Sequence, residues 1–309
     1  MLNNRIKNPL KFYITVLILL ANNSANFTFT KNKIMIKYFI VGITFLALSC
    51  KSSKEISTKT VVPQAPSNII MPQNVSLNGK LFSSVFHQRA AEYRALCLQG
   101  YNIAKMRVDT YVAQSEKPKA IITDIDETIL DNSAYAVHQA YQGLEYISSS
   151  WYEWTDKSAA DTMPGAAAFL KYIASKNIQV FYITNREDRE RASTLKNLQR
   201  FGLPNADEIH LYTKLGTSSK EARRQQVMDR YEVVLLMGDN LADLNVLFDK
   251  KTEEERMKNT DLLAADFGKK FIVFPNANYG DWESSMYKYD YKLTQMQKDS
   301  VIKSVLRSY

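Results

Sequence analysis

The chain has 309 residues, of which 45 % are hydrophobic and 23 % charged, and its formal net charge is +8. This length is enough to bury a full core, which predicts one large domain or one domain with an insertion. Residues 1–49 contain six Lys or Arg and no Asp or Glu, and removing them leaves 34 basic residues against 32 acidic ones. Because the basic charge belongs mostly to this leader, the composition argues against binding to a nucleic acid polymer.

The leader contains two apolar stretches, residues 12–21 and 38–48, and each is too short to span a bilayer comfortably. The second stretch is preceded by Met35 and Lys37 and is followed by a serine and then Cys50. A charged start, an apolar middle and a small residue before a cleavage point are typical of an export signal.

This segment resembles a lipoprotein signal peptide, in which Cys50 is acylated and becomes the mature N-terminus. We therefore predict an upstream extension over residues 1–34, a signal peptide over residues 35–49 and a flexible tether, rich in Ser, Thr, Pro and Lys, over residues 50–74. The expected location is outside the cytoplasm on a membrane, the outer membrane in particular. An ordinary signal peptide with a coincidental cysteine is the alternative. If Cys50 is modified, Cys97 has no partner in the chain and is expected to be a buried apolar residue.

The remaining chain alternates short apolar runs with helical stretches. Strands are predicted over residues 120–123, 178–183, 233–237 and 271–274. Helices are predicted over residues 165–175, 189–201, 219–231 and 253–267. Continuous apolar runs separated by helices are typical of a parallel sheet covered on both faces. The predicted fold class is therefore α/β, with a Rossmann-like parallel sheet core over about residues 118–275.

Two helical regions flank this predicted core, residues 77–114 and 282–309. Both carry apolar residues at helical spacing, and we predict that they pack together as a smaller accessory layer. The apolar stripe of the tail is expected to be core. Residues 75–309 would then form one domain with a helical accessory part.

The first predicted strand runs directly into the string DIDET, residues 124–128. Residues two apart in an extended segment share a face, so Asp124 and Asp126 are expected to point into one pocket. Two carboxylates that close resist joint ionisation unless a cation compensates them. Mg²⁺ suits this pair, because it binds hard oxygen ligands and leaves room for a substrate phosphate. Helix-capping aspartates in a solvated loop are the alternative for this motif alone.

Further polar clusters follow other predicted strands. The string GDNLAD adds Asp239 and Asp243 to the same edge of the sheet, where open α/β sheets bind ligands. The string TNR adds the hydroxyl of Thr184, and Lys220 adds a cation at a helix start. Phosphate recognition needs this mixture of donors together with a metal that neutralises the remaining charge.

The order DIDET, TNR, a lysine and GDNLAD resembles the four motifs of the haloacid dehalogenase superfamily. The longer strings IITDIDETILDNSAY, SSKEARR, VLLMGDNLADL and PNANYGDWE are similar, more narrowly, to the class C acid phosphatases of the lipoprotein e 5'-nucleotidase type. The resemblance runs from about residue 77 to the C-terminus. Four acids match the four-aspartate signature of that family, namely Asp124, Asp126, Asp239 and Asp243.

The resemblance implies catalytic roles for these acids. Asp124 would attack phosphorus and form an aspartyl-phosphate intermediate, and Asp126 would protonate the leaving oxygen and later deprotonate the attacking water. Mg²⁺ would be held by the carboxylate of Asp124, the backbone carbonyl of Asp126 and Asp239, with Asp243 steadying the site.

The resemblance also implies which residues bind the substrate. Thr184 and Lys220 would bind the transferring phosphoryl group, with Lys214 as a competitor for the lysine role. Trp151 and Tyr279 match the family positions that clasp a nucleobase, which predicts nucleoside monophosphates as substrates. Two other tryptophans, Trp154 and Trp282, are expected to close small cores instead.

The leading hypothesis is an exported, Mg²⁺-dependent phosphomonoesterase that hydrolyses nucleoside monophosphates. A broad acid phosphatase or a phosphotransferase that delivers the phosphoryl group to an alcohol is the alternative enzyme. A non-catalytic surface binding lipoprotein is the third hypothesis, and it predicts a damaged nucleophile. That prediction conflicts with the intact Asp124, Asp126 and Asp239. The three histidines lie outside all of these motifs, which disfavours a histidine phosphatase.

Overall fold

The computed structural model describes residues 75–309. The predicted upstream extension, signal peptide, acylated Cys50 and tether lie outside these described residues. Within residues 75–309, no helix combines the length and the hydrophobicity needed to cross a membrane.

A five-stranded parallel sheet forms the centre of the described chain. In chain order the strands are β1 (Lys119–Thr123), β2 (Leu130–Asp131), β3 (Asp161–Thr162), β4 (Gln179–Glu187), β5 (Leu211–Lys214), β6 (Glu232–Gly238) and β7 (Phe271–Val273). The sheet has the order β5-β4-β1-β6-β7, and β2 and β3 pair antiparallel with each other. The predicted α/β class is confirmed. Parallel strands end at a common edge, so the segments that follow β1, β4 and β6 meet there.

The sequence did not predict β5, whose side chains alternate between buried and half-buried positions and form no continuous apolar run. By contrast, β1 lies between β4 and β6 and is buried over almost its whole length. Ile121 and Val180 belong to one buried cluster and Ile122 and Phe181 to another. This alternation is the pattern of a sheet with a core on each face.

The helices in chain order are α1 (Val75–Arg89), α2 (Ala91–Asp109), α3 (Ser133–Tyr141), α4 (Ser148–Asp156), α5 (Ala166–Ser175), α6 (Arg191–Arg200), α7 (Glu221–Met228), α8 (Glu253–Leu262), α9 (Asp281–Met286) and α10 (Gln295–Val305). The prediction of one helical run over residues 77–114 is wrong. The chain breaks at Ala90, whose φ of −82° and ψ of 128° are extended, so α1 and α2 are separate helices.

Helix α2 packs on the sheet through Tyr93, Cys97 and Tyr101, which are all buried. The expectation that Cys97 is a buried apolar residue is confirmed, and burial raises the pKa of its thiol to about 11. Close packing also explains Gly100, because a Cβ there would lie 2.8 Å from the ring of Phe274.

The C-terminal tail departs from its prediction. Helix α10 has no buried residue, and Met296 of the predicted stripe is 81 % exposed, so the stripe is not core. Polar contacts attach the helix to α1 instead, because the carboxylate of Asp299 accepts the backbone N–H groups of Val75 (3.0 Å) and Ser76 (3.3 Å). These hydrogen bonds join α10 to α1.

Candidate active site

Asp124 follows β1 directly, and its backbone N–H donates to the carbonyl of Met237 at 2.9 Å. This bond continues the parallel pairing of β1 with β6 into the loop, which fixes the start of the DIDET segment. The buried ammonium of Lys220 ion-pairs with Asp124 and with Asp243, the latter at 2.8 Å. The structure therefore brings together residues from three separate motifs of the sequence.

The carboxylates of Asp124, Asp239 and Asp243 each offer an oxygen within 4.8 Å of the others. Burial raises the pKa of Asp124 to about 7 although the charge of Lys220 lowers it, and burial raises the pKa of Asp239 as well. Among the described residues, Lys220 is the cation that ion-pairs with this group, so three carboxylates face one ammonium. A divalent ion with oxygen ligands fits a cluster with this donor set and this excess of negative charge.

Gly238 makes this cluster sterically possible. A Cβ at this position would lie 2.5 Å from the side chain of Asp243, which folds back over the glycine. The Oδ2 atom of Asp243, which is not the oxygen that pairs with Lys220, accepts the backbone N–H of Asn240 at 3.1 Å. This bond caps the short 3-10 helix Leu241–Asp243. Any larger residue at position 238 would displace an acid of the cluster.

Asp126 is placed differently from the other three acids. Its carboxylate accepts two hydrogen bonds from Arg186, from Nη2 at 2.7 Å and Nε at 3.1 Å, and one from Asn132 at 2.8 Å. The side chain remains 14 % exposed and lines the cleft. Asp126 therefore lies beside the cluster of Asp124, Asp239 and Asp243 rather than in it. Its predicted metal contact through the backbone carbonyl stays a prediction.

Sequence analysis did not assign a partner to Arg186. The sequence carried a sign of this pairing, because an arginine near the end of a buried strand needs a carboxylate when it is buried itself. The pairing with Asp126 meets that need.

Thr184 is fully buried below the site, and its hydroxyl accepts the backbone N–H of Arg186 at 3.0 Å. It lies 3.5 Å from Asp126, whereas the neighbouring Asn185 lines the cleft. The competing lysine, Lys214, forms an ion pair of 3.1 Å with Glu187 and does not contact the acid cluster. Lys220 is therefore the lysine that the structure places beside Asp124, and the phosphate role of Thr184 stays a prediction.

The acids line a cleft of about 540 Å³, and several aromatic rings line it as well. Trp151 and Tyr279 both line it, and their predicted contact with a nucleobase stays a prediction. Trp151 is only 9 % exposed and packs edge-on against Tyr135, with ring centroids 5.1 Å apart. Tyr279 is 40 % exposed and is therefore much less buried than Trp151.

Glu127, the last acid of DIDET, is buried and contributes to the site in a way that the sequence did not indicate. Its carboxylate accepts the hydroxyl of Tyr279 and the backbone N–H of Asn132, the latter at 2.7 Å. Burial raises the pKa of Glu127 to about 8, and the nearby Asp126 adds to this effect. Glu127 thus ties the loop that carries the acids to an aromatic ring of the cleft.

The predicted core role is confirmed for one of the two remaining tryptophans and wrong for the other. Trp154 packs against the main core and donates to the side chain of Asn132 at 2.8 Å, so the prediction of a core role is confirmed. Trp282 is 46 % exposed, and the same prediction is wrong for it. Its indole lies against the backbone of Gly280 at the surface.

A parallel sheet with these acids and a lysine at one edge defines an α/β protein of the haloacid dehalogenase type. Residues 43–282 match the family model described as HAD superfamily, subfamily IIIB (Acid phosphatase), and the chain belongs to that family. The expected relationship to the acid phosphatases is therefore confirmed.

Solved structures give the same relationship. The chain is similar to the class C acid phosphatase from Bacillus anthracis, with 38 % identity and a TM-score of 0.73 over 76 % of this chain and 100 % of that chain. A second structure of that enzyme, with tungstate bound, is 37 % identical over 76 % of this chain and 99 % of that chain, with a TM-score of 0.73.

Curated relatives are more distant. Acid phosphatase 1 of Solanum lycopersicum is 27 % identical over 130 residues, which are 40 % of this chain and 51 % of the relative. A stem 31 kDa glycoprotein of Glycine max is 27 % identical over 143 residues, 44 % of this chain and 56 % of the relative. The chain thus spans about half the length of the curated relatives that it matches.

Proposed function

We propose that this protein is a Mg²⁺-dependent phosphomonoesterase that hydrolyses nucleoside monophosphates outside the cytoplasm. One observation carries the proposal, namely the buried cluster of Asp124, Asp239, Asp243 and Lys220 at the head of an aromatic cleft. Tungstate is a tetrahedral oxyanion like phosphate, and the tungstate-bound structure of the Bacillus anthracis relative supports a phosphate-type substrate for this chain as well.

The proposed reaction has two steps. In the first, a carboxylate oxygen of Asp124 forms a bond to phosphorus while the bond from phosphorus to the ester oxygen breaks, and Asp126 gives its proton to that oxygen. In the second, Asp126 takes a proton from water, and the water oxygen attacks phosphorus to release phosphate and the free Asp124 carboxylate. Lys220 and Thr184 hold the phosphoryl group.

The metal would be held by the carboxylates of Asp124 and Asp239 and by the backbone carbonyl of Asp126, with Asp243 steadying the site. Bound there, Mg²⁺ supplies positive charge that the transferring phosphoryl group needs beside several carboxylates. Support comes from the three oxygens within 4.8 Å of one another and from the raised pKa of Asp239, since buried acids this close ionise together only with a compensating cation.

The aromatic cleft supports a nucleoside as the leaving group. Stacking against a ring is tolerant of the base and contributes about 1–3 kcal/mol per base. The half-exposed Tyr279 and the largely buried Trp151 line the cleft that also contains Asp124. We therefore expect nucleoside monophosphates to be preferred over small esters, with little discrimination among bases.

Phosphate release from a panel of mononucleotides and small esters, with and without Mg²⁺, tests this function. EDTA should abolish the activity and Mg²⁺ should restore it. Full activity in metal-free protein would refute the metal assignment. Equal kcat/KM values for nucleotides and glycerol phosphate would reduce the function to that of a general acid phosphatase.

Membrane attachment through Cys50 is the second part of the proposal, and it is supported by the signal-like segment before that residue. A Cys50→Ser variant should leave the membrane fraction with unchanged specific activity, because a tether separates the anchor from the domain. A variant that still partitions into detergent would count against acylation.

A further inference from the structure

Two neighbouring arginines of α7, Arg223 and Arg224, are both buried beside the site, although neither lines the cleft. Successive residues of a helix point about 100° apart, because the helix has 3.6 residues per turn. The two guanidinium groups therefore reach different neighbours. Lys220, which contacts Asp124 and Asp243, comes directly before the same helix.

Arg223 holds the C-terminal end of β4. Its Nη1 donates to the carbonyl of Thr184 at 2.6 Å, and its Nη2 donates to the side chain of Asn185 at 2.8 Å. A further bond from Nη2 to the carbonyl of Ser219 at 3.1 Å ties this strand end to the start of α7. Thr184 of this strand end is the residue predicted to bind the phosphoryl group.

Arg224 holds the loop that follows β6. Its Nη1 donates to the carbonyls of Ala242 and Asp243, at 2.7 Å and 2.8 Å. Its Nη2 pairs with the carboxylate of Glu221 at 2.5 Å, which fixes the guanidinium itself. Asp243 is thus held on two sides, through its carboxylate by Lys220 and through its backbone by Arg224.

We propose that these arginines are positioning residues with separate tasks, so that Arg224 sets the affinity for Mg²⁺ through Asp243 and Arg223 sets the affinity for phosphate through Thr184 and Asn185 at the end of β4. This inference rests on the proposed Mg²⁺-dependent function. The planar fork of an arginine reaches separate partners from separate nitrogens, as Arg224 does when Nη1 binds the two carbonyls and Nη2 binds Glu221, whereas a lysine presents a compact charge on a flexible chain. Replacement by lysine keeps the charge and removes the fork.

The matched variants Arg223→Lys and Arg224→Lys test the inference in the detergent-solubilised full-length protein. Isothermal titration with Mg²⁺ should show affinity about tenfold or more weaker for Arg224→Lys, the usual scale for groups that orient metal ligands. Arg223→Lys should bind Mg²⁺ like the wild type. Titration with inorganic phosphate at saturating Mg²⁺ should reverse the order, with the loss confined to Arg223→Lys.

A second readout separates positioning from general damage. Excess Mg²⁺ should restore the kcat of Arg224→Lys and should leave the raised KM of Arg223→Lys unchanged. Equal losses of Mg²⁺ and phosphate affinity in both variants would overturn the inference, and so would unchanged affinities in both.

Buried arginines also contribute to folding, so a variant that disturbs the core less than the two arginine replacements is needed for comparison. Glu221→Gln removes the ion-pair partner of Arg224, and the Glu221 side chain is substantially exposed. It should weaken Mg²⁺ binding in the direction of Arg224→Lys and leave phosphate binding unchanged, and a phosphate defect in this variant would contradict the division of tasks. Wild-type protein that binds no Mg²⁺ would refute the proposed function itself. If the wild type binds Mg²⁺ but both arginine variants lose Mg²⁺ and phosphate affinity alike, only this inference is refuted.

Discussion

At the strand ends of the cleft, Asp124, Asp243 and Lys220 are buried and joined to one another by ion pairs. At the aromatic end, Tyr279 is 40 % exposed, and its hydroxyl donates a hydrogen bond to Glu127. A buried charge that loses its partner is strongly destabilised, whereas a half-exposed ring can shift at small cost. Substitutions at the strand ends should therefore stop the chemistry, and substitutions at the aromatic end should change affinity alone.

The largest effect should come from Asp124→Asn. An amide cannot form the acyl-phosphate, so turnover should fall by about 10⁴-fold or more, the scale seen when a catalytic residue of a covalent mechanism is removed. Steady-state hydrolysis measures the loss of turnover, and thermal unfolding measures whether the variant keeps its fold. Asp261→Asn, on the exposed surface of α8, is the matched control and should be silent. Substantial turnover in Asp124→Asn would refute the nucleophile.

Asp126→Asn should have the next largest effect, because the leaving oxygen loses its proton donor. General acid catalysis contributes about 10²–10⁴-fold, and we expect a loss of this size for an alkyl ester such as glycerol phosphate. The loss should be much smaller for p-nitrophenyl phosphate, whose leaving group needs little protonation. Equal losses on both esters would mean that Asp126 serves only to hold Arg186 in place.

Removing a ring at the aromatic end should act on substrate affinity. Trp151→Ala and Tyr279→Ala should each raise KM for a mononucleotide about tenfold, equivalent to about 1.4 kcal/mol, and should barely change hydrolysis of glycerol phosphate. Phe82→Ala is the control, because that ring is 76 % exposed and does not line the cleft.

Trp151 also packs against Tyr135, so its variant needs a folding measurement beside the kinetics. A loss on both substrates together with a lowered melting temperature would show that the ring holds the α3 and α4 region rather than the base. The comparison between the two ends of the cleft would then rest on Tyr279.

The smallest effect should come from Tyr279→Phe, which keeps the ring and removes only its bond to Glu127. A hydrogen bond to a charged or polar partner contributes about 0.5–3 kcal/mol, and the lower part of this range applies at a half-exposed ring. We expect KM for a mononucleotide to rise about twofold to fivefold, with kcat unchanged. A fall in kcat would show that the bond also supports the loop of Asp126.

The sequence by itself determined the α/β class and the acids that follow the central strands. Buried strands of a parallel sheet are continuous apolar runs, and β1, β4 and β6 were therefore recognisable, as were the acids that follow them. The edge strand β5 was not, since it is short and only alternately buried. The break at Ala90 was missed because apolar spacing continues across it.

Only the tertiary structure decided how the site is held together. Asp126 and its partner Arg186 are 60 residues apart, and Glu127 and Tyr279 are 152 residues apart. No periodicity marks such pairs, because helix and strand patterns record which face of an element is buried and not which polar group meets it there. The reach of an arginine or tyrosine side chain is set by the packed backbone around it, and that arrangement exists only in the folded chain.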